Sequence, residues 1–466
     1  MSPIALDFSN MVMERLGGGG IDPARLGGDL ANRFRSAHED VESRRRSGEM
    51  GFFELPYASD GLRQVEELAD SLEGRFENLV IVGIGGSGLG ARTLRDALLG
   101  PLWNERSPEE RAGRPRMYIL DNVDPDAVMD VVGHLDLRRT LFNVVSKSGS
   151  TAETVALFMV VEGLLIEAAG TEKVADHFVF TTDPDNGGLR SIAEAEGMKC
   201  LPIPANVGGR FSVLSPVGLF PAALAGVDVA GLLAGAARAD EYCRTPVLRE
   251  NPAGLMATLL HTAHRESGAS IHVMMPYSER LRSFSFWFQQ LWAESLGKAH
   301  DRSGKVVNTG PTPLPAVGVT DQHAQVQLFI EGPLDKVVIF LALTGARRDM
   351  EIGTHRAWMP SVGYLGGHTV GQLMDAEKQA TAEALRQGGR ANMTFEIERL
   401  DASALGELFM LMSVATVYAG ALYGVNPLDQ PGVELGKQLT YGLMGREGHD
   451  PLEGSDSDVR WRLEQG

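Results

Sequence analysis

IVGIGGSGLG, residues 81–90, decides the fold: an apolar run of strand length passes through a glycine turn into a helix expected to begin near Gly88. Glycine lets the backbone approach an anion, and a helix start presents unpaired N–H groups and the positive end of the helix dipole. Gly83, Gly85 and Gly88 also satisfy G-x-G-x-x-G, the pattern of a dinucleotide site, which expects an acidic residue about 20 positions on. The candidate here is Asp121, 33 positions after Gly88. Ser87 lies where a hydroxyl can reach a phosphate. Taken alone, the stretch is open to three readings: an anion cradle, a dinucleotide site, or a merely tight turn.

Outward from it, the same alternation repeats. Apolar runs of strand length stand at Asn78–Gly83, Met117–Asp121, Leu141–Val145, Phe178–Thr182 and Lys199–Ile203, with helix-period segments such as Leu89–Leu99 and Thr151–Glu167 between most of them. Strands alternating with helices imply a parallel sheet covered on both faces. After a helical connection over Asp228–Pro252 comes a second such unit, with strands near Ile271–Met275, Val337–Ala342 and Met393–Ile397 and helices Leu281–Leu296, Val370–Arg386 and Leu405–Tyr423. The expected fold is α/β, with two doubly wound parallel-sheet subdomains and helical N- and C-terminal arms. The expected divisions are a helical arm over 1–55, a first α/β domain over 56–227, a second over 228–442, and a helical tail over 443–466.

The second loop, SKSGSTAET at residues 146–154, again follows an apolar strand and precedes a helix. A phosphate monoester has three acceptor-rich oxygens and nearly two charges, so Ser146, Ser148, Ser150, Thr151, Thr154 and Lys147 together suit it. The plainer reading is a helix cap by Ser150 or Thr151, with Glu153 in the first turn. Two such loops on neighbouring strands of one sheet are more specific than either alone, and they stand at carboxyl ends, where open α/β sheets bind ligands.

These paired loops resemble the sugar-isomerase (SIS) family of phosphosugar-binding domains. Further blocks are similar to the glucose-6-phosphate isomerase (phosphoglucose isomerase) family: NVGGRFSVLSPVGL at 206–219, QQLWAESLGK at 289–298, DQHAQVQLFIEG at 321–332 and NPLDQPGVELGKQLTYG at 426–442. The resemblance implies two SIS-type domains and an aldose–ketose isomerase of glycolysis and gluconeogenesis, which opens a sugar ring and moves a proton between C2 and C1 through a cis-enediolate. Glu294 is then the base, Arg210 the stabiliser of the enediolate, and His323 with Lys437 the ring-opening pair. Substrate contacts fall to Gly86, Ser87, Ser146, Lys147, Ser148, Thr151, Gln290 and Gln430. The resemblance also implies a homodimer with a shared active site, in which many family members take this histidine from the partner. It leaves open which subunit supplies His323 here, and it implies neither cofactor nor metal.

Each of these residues has a plainer reading. Glu294 could be a solvent-facing helix glutamate, although SFWFQQLWAESLGK is apolar around it. Arg210 could be a structural ion pair, although its planar, permanently charged guanidinium suits an enediolate. A lone histidine such as His323 is more often structural, although its unperturbed pKa suits proton shuttling near neutrality. The chain departs from the family in SGSTAET for a bulkier TFTTQET-like loop, ESLGK for ESNGK, Pro431 where tryptophan is common, and a shorter length. These changes leave substrate breadth open, including mannose 6-phosphate. A phosphosugar sensor and a nicotinamide dehydrogenase are the competing functions.

Composition bounds these readings. The 466 residues exceed one hydrophobic core, and the 43% apolar and 22% charged fractions are those of a globular chain. A formal charge of -18 argues against nucleic-acid or anionic-membrane partners. A small anionic substrate needs only a local cluster of donors. Two cysteines, Cys200 and Cys243, and the absence of signal-peptide order in MSPIALDFSNMVMERL lead to the expectation of a reducing cytoplasm. Leu405–Tyr423 carries Glu407 and reads as a buried core helix. His261 and His264, three apart, read as surface or core histidines.

Overall fold

Five strands rich in apolar residues form the first sheet: β2 (Asn78–Val82), β3 (Arg116–Leu120), β4 (Thr140–Ser146), β5 (Phe178–Thr182) and β6 (Lys199–Pro202). They are parallel throughout, in the order β3-β2-β4-β5-β6. A parallel sheet needs helices on both faces, which is why its strands lack polar alternation. Phe142, Phe158, Phe178 and Phe180 fill one face, each contributing roughly 1.5–3 kcal/mol by leaving water. The computed structural model describes residues 2–345 and 348–450, and the backbone alone at 171–173.

The second sheet has the order β1-β12-β11-β7-β10. Its parallel members are β7 (Ile271–Tyr277), β10 (Thr312–Pro315), β11 (Lys336–Leu343) and β12 (Asn392–Ile397). The N-terminal arm is not wholly helical: β1 (Ile4–Asp7) joins this sheet antiparallel to β12, with Ile4 opposite Ile397. Two short strands, β8 (Lys298–His300) and β9 (Val306–Thr309), pair on their own.

The helices that matter for the site are α1 (Asp29–Arg46), α2 (Gly86–Leu94), α3 (Ala152–Ala169), α4 (Val229–Tyr242), α5 (Pro252–Ser267), α6 (Arg282–Leu296), α7 (Val370–Gln387) and α8 (Ala402–Tyr423). Although α8 is long and apolar enough to cross a membrane, it is buried along most of its length in protein, against α4 and α5. Its one carboxylate, Glu407, accepts from Arg238 Nε at 2.7 Å and from Ser2 Oγ at 2.7 Å. A buried charge persists only when paired in this way.

The chain divides into two compact units, Met1–Pro427, which holds both sheets, and Leu428–Gly466. Within the second, a short turn at Pro431–Val433 precedes helix α9 (Glu434–Leu443). The expected tail over 443–466 lies, beyond residue 450, outside the described residues.

Candidate active site

The strand order of the first sheet reverses between β2 and β4: from β2 the chain goes to β3 on one side, then crosses to β4 on the other. The crevice at such a switch point is where an open α/β sheet takes its ligand. Both glycine- and hydroxyl-rich loops leave their strands there.

After β2, Gly85 adopts φ +58, and α2 begins at Gly86, two residues before the expected start. No side chain caps this helix start. A Cβ on Gly86 would lie 2.3 Å from the carbonyl oxygen of Gly209 and 2.8 Å from the nitrogen of Arg210, so glycine is required for the two backbones to meet. Ser87 is half-buried in the first turn.

After β4, Thr151 occupies the cap position of α3 but makes no side-chain capping bond. Its hydroxyl turns instead to Ser146 Oγ at 2.8 Å and Ser148 Oγ at 3.4 Å. Neither Ser150 nor Thr151 therefore plays the capping part of the plainer reading. Two helix starts without side-chain caps at one switch point present donors and dipole ends suited to a phosphate. Lys147 follows a different course: its ammonium donates to the Ala205 carbonyl at 2.7 Å. Burial lowers its pKa, and the charge of Asp183 partly offsets this.

Arg210 lies on the turn Gly209–Leu214 and is buried. The N-terminal arm supports that turn: Phe52 stacks on Phe211 with centroids 4.8 Å apart, and Gly51 N donates to Asn206 O at 3.2 Å. From the second half, α6 brings Gln290 and Glu294 onto one face at i, i+4 spacing. Arg210 Nη1 meets Glu294 Oε2 at 3.2 Å, and Gln290 Nε2 donates to Glu294 Oε1 at 3.0 Å. Arg210 Nε donates to Ser295 Oγ at 2.8 Å and Nη2 to the Pro427 carbonyl at 2.6 Å. The Glu294 side chain keeps 34% exposure, which leaves it open to a ligand, whereas that of Arg210 keeps 2%.

The structure thus joins Glu294, Gln290, Arg210 and Gly86 in one cluster. His323 stands elsewhere on this chain, exposed at the end of the turn Thr320–His323, with no side-chain hydrogen bond or ion pair among the described residues. Its neighbours fix the turn: Asp321 Oδ2 accepts from Val317 N at 2.6 Å, and Tyr277 donates to Gln322 at 2.6 Å. Lys437, on α9 of the second unit, donates to Glu434 at 2.7 Å, and Gln430 begins the turn before that helix.

Three partners escaped sequence reasoning: Ser295 and the carbonyls of Pro427 and Ala205. Ser295 adjoins Glu294 in the quoted block, which was the available signal; a carbonyl acceptor leaves none. For the dinucleotide reading, Asp121 would have to face a ribose, yet its carboxylate pairs with Arg92 at 2.8 Å. His261 and His264 pack on Tyr423, whose hydroxyl lies 2.7 Å from His264 Nδ1.

A family model, phosphoglucose isomerase, matches residues 67–456. A curated glucose-6-phosphate isomerase of Carboxydothermus hydrogenoformans is 40% identical, with 96% of each chain covered. One of Rubrobacter xylanophilus is 46% identical over 86% of this chain and 90% of its own. Among solved structures, a hypothetical protein of Thermus thermophilus superposes with TM-score 0.84 at 40% identity, covering 95% of this chain and all of its own. A glucose-6-phosphate isomerase of Chlamydia trachomatis, 22% identical, shares the fold at TM-score 0.81, covering 96% of this chain and 89% of its own. With both halves of the chain, their order and the switch-point loops spanned by these matches, the chain belongs to the phosphoglucose isomerase family.

Proposed function

We infer that the protein interconverts glucose 6-phosphate and fructose 6-phosphate, the step shared by glycolysis and gluconeogenesis. The observation that carries the site assignment is the Arg210–Glu294 contact, which brings a base from the second half to a cation whose turn rests on the Gly86 helix start. The phosphate is held by the two helix starts and the Ser146, Ser148 and Thr151 hydroxyls. Glu294 removes the C2 proton of the open-chain aldose and returns it to C1. The C2–H electron pair becomes the C1=C2 double bond as the carbonyl pair moves onto the C1 oxygen, and Arg210 neutralises the resulting enediolate. The C2 hydroxyl proton then passes to the C1 oxygen as C2 becomes the carbonyl and C1 takes up the proton. Gln290 orients the Glu294 carboxylate.

Ring opening falls to His323 and Lys437, one protonating the ring oxygen while the other accepts the C1 hydroxyl proton. The exposure of His323 and its lack of a side-chain partner among the described residues support a homodimer in which it serves the neighbouring site. A reducing cytoplasm is the proposed compartment.

Release of tritium from C2-labelled glucose 6-phosphate into water tests the proton-transfer step. Substantial release is expected; complete retention during turnover would mean a hydride shift. Coupled assays with fructose 6-phosphate, mannose 6-phosphate and glucosamine 6-phosphate define the substrate range, with fructose 6-phosphate expected to be the best of the three.

A further inference from the structure

The carboxyl end of the second sheet holds a cavity of about 1110 Å³ that none of the residues assigned above lines. It opens beside Leu343 at the end of β11 and Glu398 just after β12. Four arginines from separate segments line it, Arg106, Arg280, Arg348 and Arg399, against the single carboxylate of Glu398. On a chain of formal charge -18 this cleft carries a local excess of positive charge, and a cleft with such an excess focuses its field on small counter-ions.

The arginines are differently engaged. Arg399 pairs with Asp401 at 2.7 Å, and Arg280 Nη1 donates to the Ala97 carbonyl at 3.1 Å. Arg106 lies over the Trp103 ring at 5.6 Å, and neither it nor Arg348 has a carboxylate partner among the described residues. Guanidinium forks match phosphoryl oxygens in bidentate geometry. Arg106 and Arg348 supply such forks, and the charges of Arg280 and Arg399 extend the positive field across this volume, which suits a longer anion.

We propose that this cavity binds a small polyanion carrying two or more phosphoryl groups. The site is separate from the catalytic one yet attached to the same helices. Ala97 belongs to the segment Arg95–Leu99 that continues α2, whose start is the phosphate cradle. Arg280 lies two residues before α6, which carries Gln290 and Glu294. The polyanion therefore sits at the far ends of the two helices that build the active site.

Calorimetric titration of the full chain with inorganic tripolyphosphate, in saturating fructose 6-phosphate to fill the catalytic pocket, tests this. One saturable tripolyphosphate per chain is expected. In Arg106→Ala/Arg348→Ala the affinity falls by roughly tenfold or more, while turnover without tripolyphosphate stays within about twofold of wild type. Arg348→Glu, on an exposed segment, produces the same loss and serves if Arg106 proves necessary for folding. Absence of saturable binding, displacement by fructose 6-phosphate, or undiminished affinity in the variants would overturn the proposal.

Discussion

Arg210 donates from all three of its nitrogens, to Ser295, Glu294 and the Pro427 carbonyl. A lysine at this position has one nitrogen and cannot reach three directions at once. Arg210→Lys is therefore expected to lower kcat/KM by roughly a hundredfold or more, about 3 kcal/mol of transition-state stabilisation. Glu294→Gln keeps the shape and the contact with Gln290 but removes the base, and kcat falls by roughly 10²–10⁴, about 3–5 kcal/mol, with little change in KM. Steady-state kinetics of both variants check this, and a Glu294→Gln enzyme with more than about a tenth of wild-type kcat removes Glu294 from the role of base. The sequence made Glu294 and Arg210 visible through their blocks. Their meeting was not visible, because they stand 84 positions apart and no periodicity spans that distance.

At the scale of elements, the placement of the Arg210 turn, which meets Glu294 of the second half, rests on a close approach at one helix start. Gly86→Ala places a methyl group 2.3 Å from the Gly209 carbonyl oxygen, so α2 or the Arg210 turn must move. The expected result is about 1–3 kcal/mol of lost stability and a raised KM for fructose 6-phosphate. Gly133→Ala, with nothing within 4 Å of the added carbon, serves as the control and leaves KM unchanged. On β7, His272 is fully buried and accepts from Trp292 Nε1 at 3.1 Å. Burial, with a smaller contribution from His264, lowers its pKa from 6.5 to about 3. The unfolded chain then binds a proton at this residue below pH 6.5 that the folded chain refuses. The stabilisation is whole above that pH and declines toward pH 3, by up to about 1.4 kcal/mol per pH unit. Urea unfolding at several pH values is expected to show a flatter acid limb for His272→Gln than for wild type; identical slopes would contradict it. Legibility differed by element for physical reasons. The buried strands of the first sheet read directly as continuous apolar runs, whereas β10 contains Pro313 and Pro315, which argue against a strand except at a sheet edge, where β10 lies. The four residues of β1 carry no long pattern, and their partner strand begins nearly 390 positions away.

At the scale of the whole molecule, the account requires two halves of one chain, and the proposed dimer, to act on one sugar. If His323 serves the neighbouring subunit, mixing inactive Glu294→Gln with inactive His323→Ala chains after dissociation restores activity. Random pairing gives one intact site in each mixed dimer, or roughly a quarter of wild-type activity; no recovery would place His323 in its own subunit's site. The central claim is that the phosphate loops of the first half and the carboxylate of the second half hold the same six-carbon ligand. A crystal structure with fructose 6-phosphate bound tests it most directly. The phosphate is predicted to lie within hydrogen-bonding distance of Ser146, Ser148 or Thr151, with a Glu294 oxygen about 3–3.5 Å from C1 or C2. A phosphate seated elsewhere, or sugar carbons beyond the reach of Glu294, would contradict it.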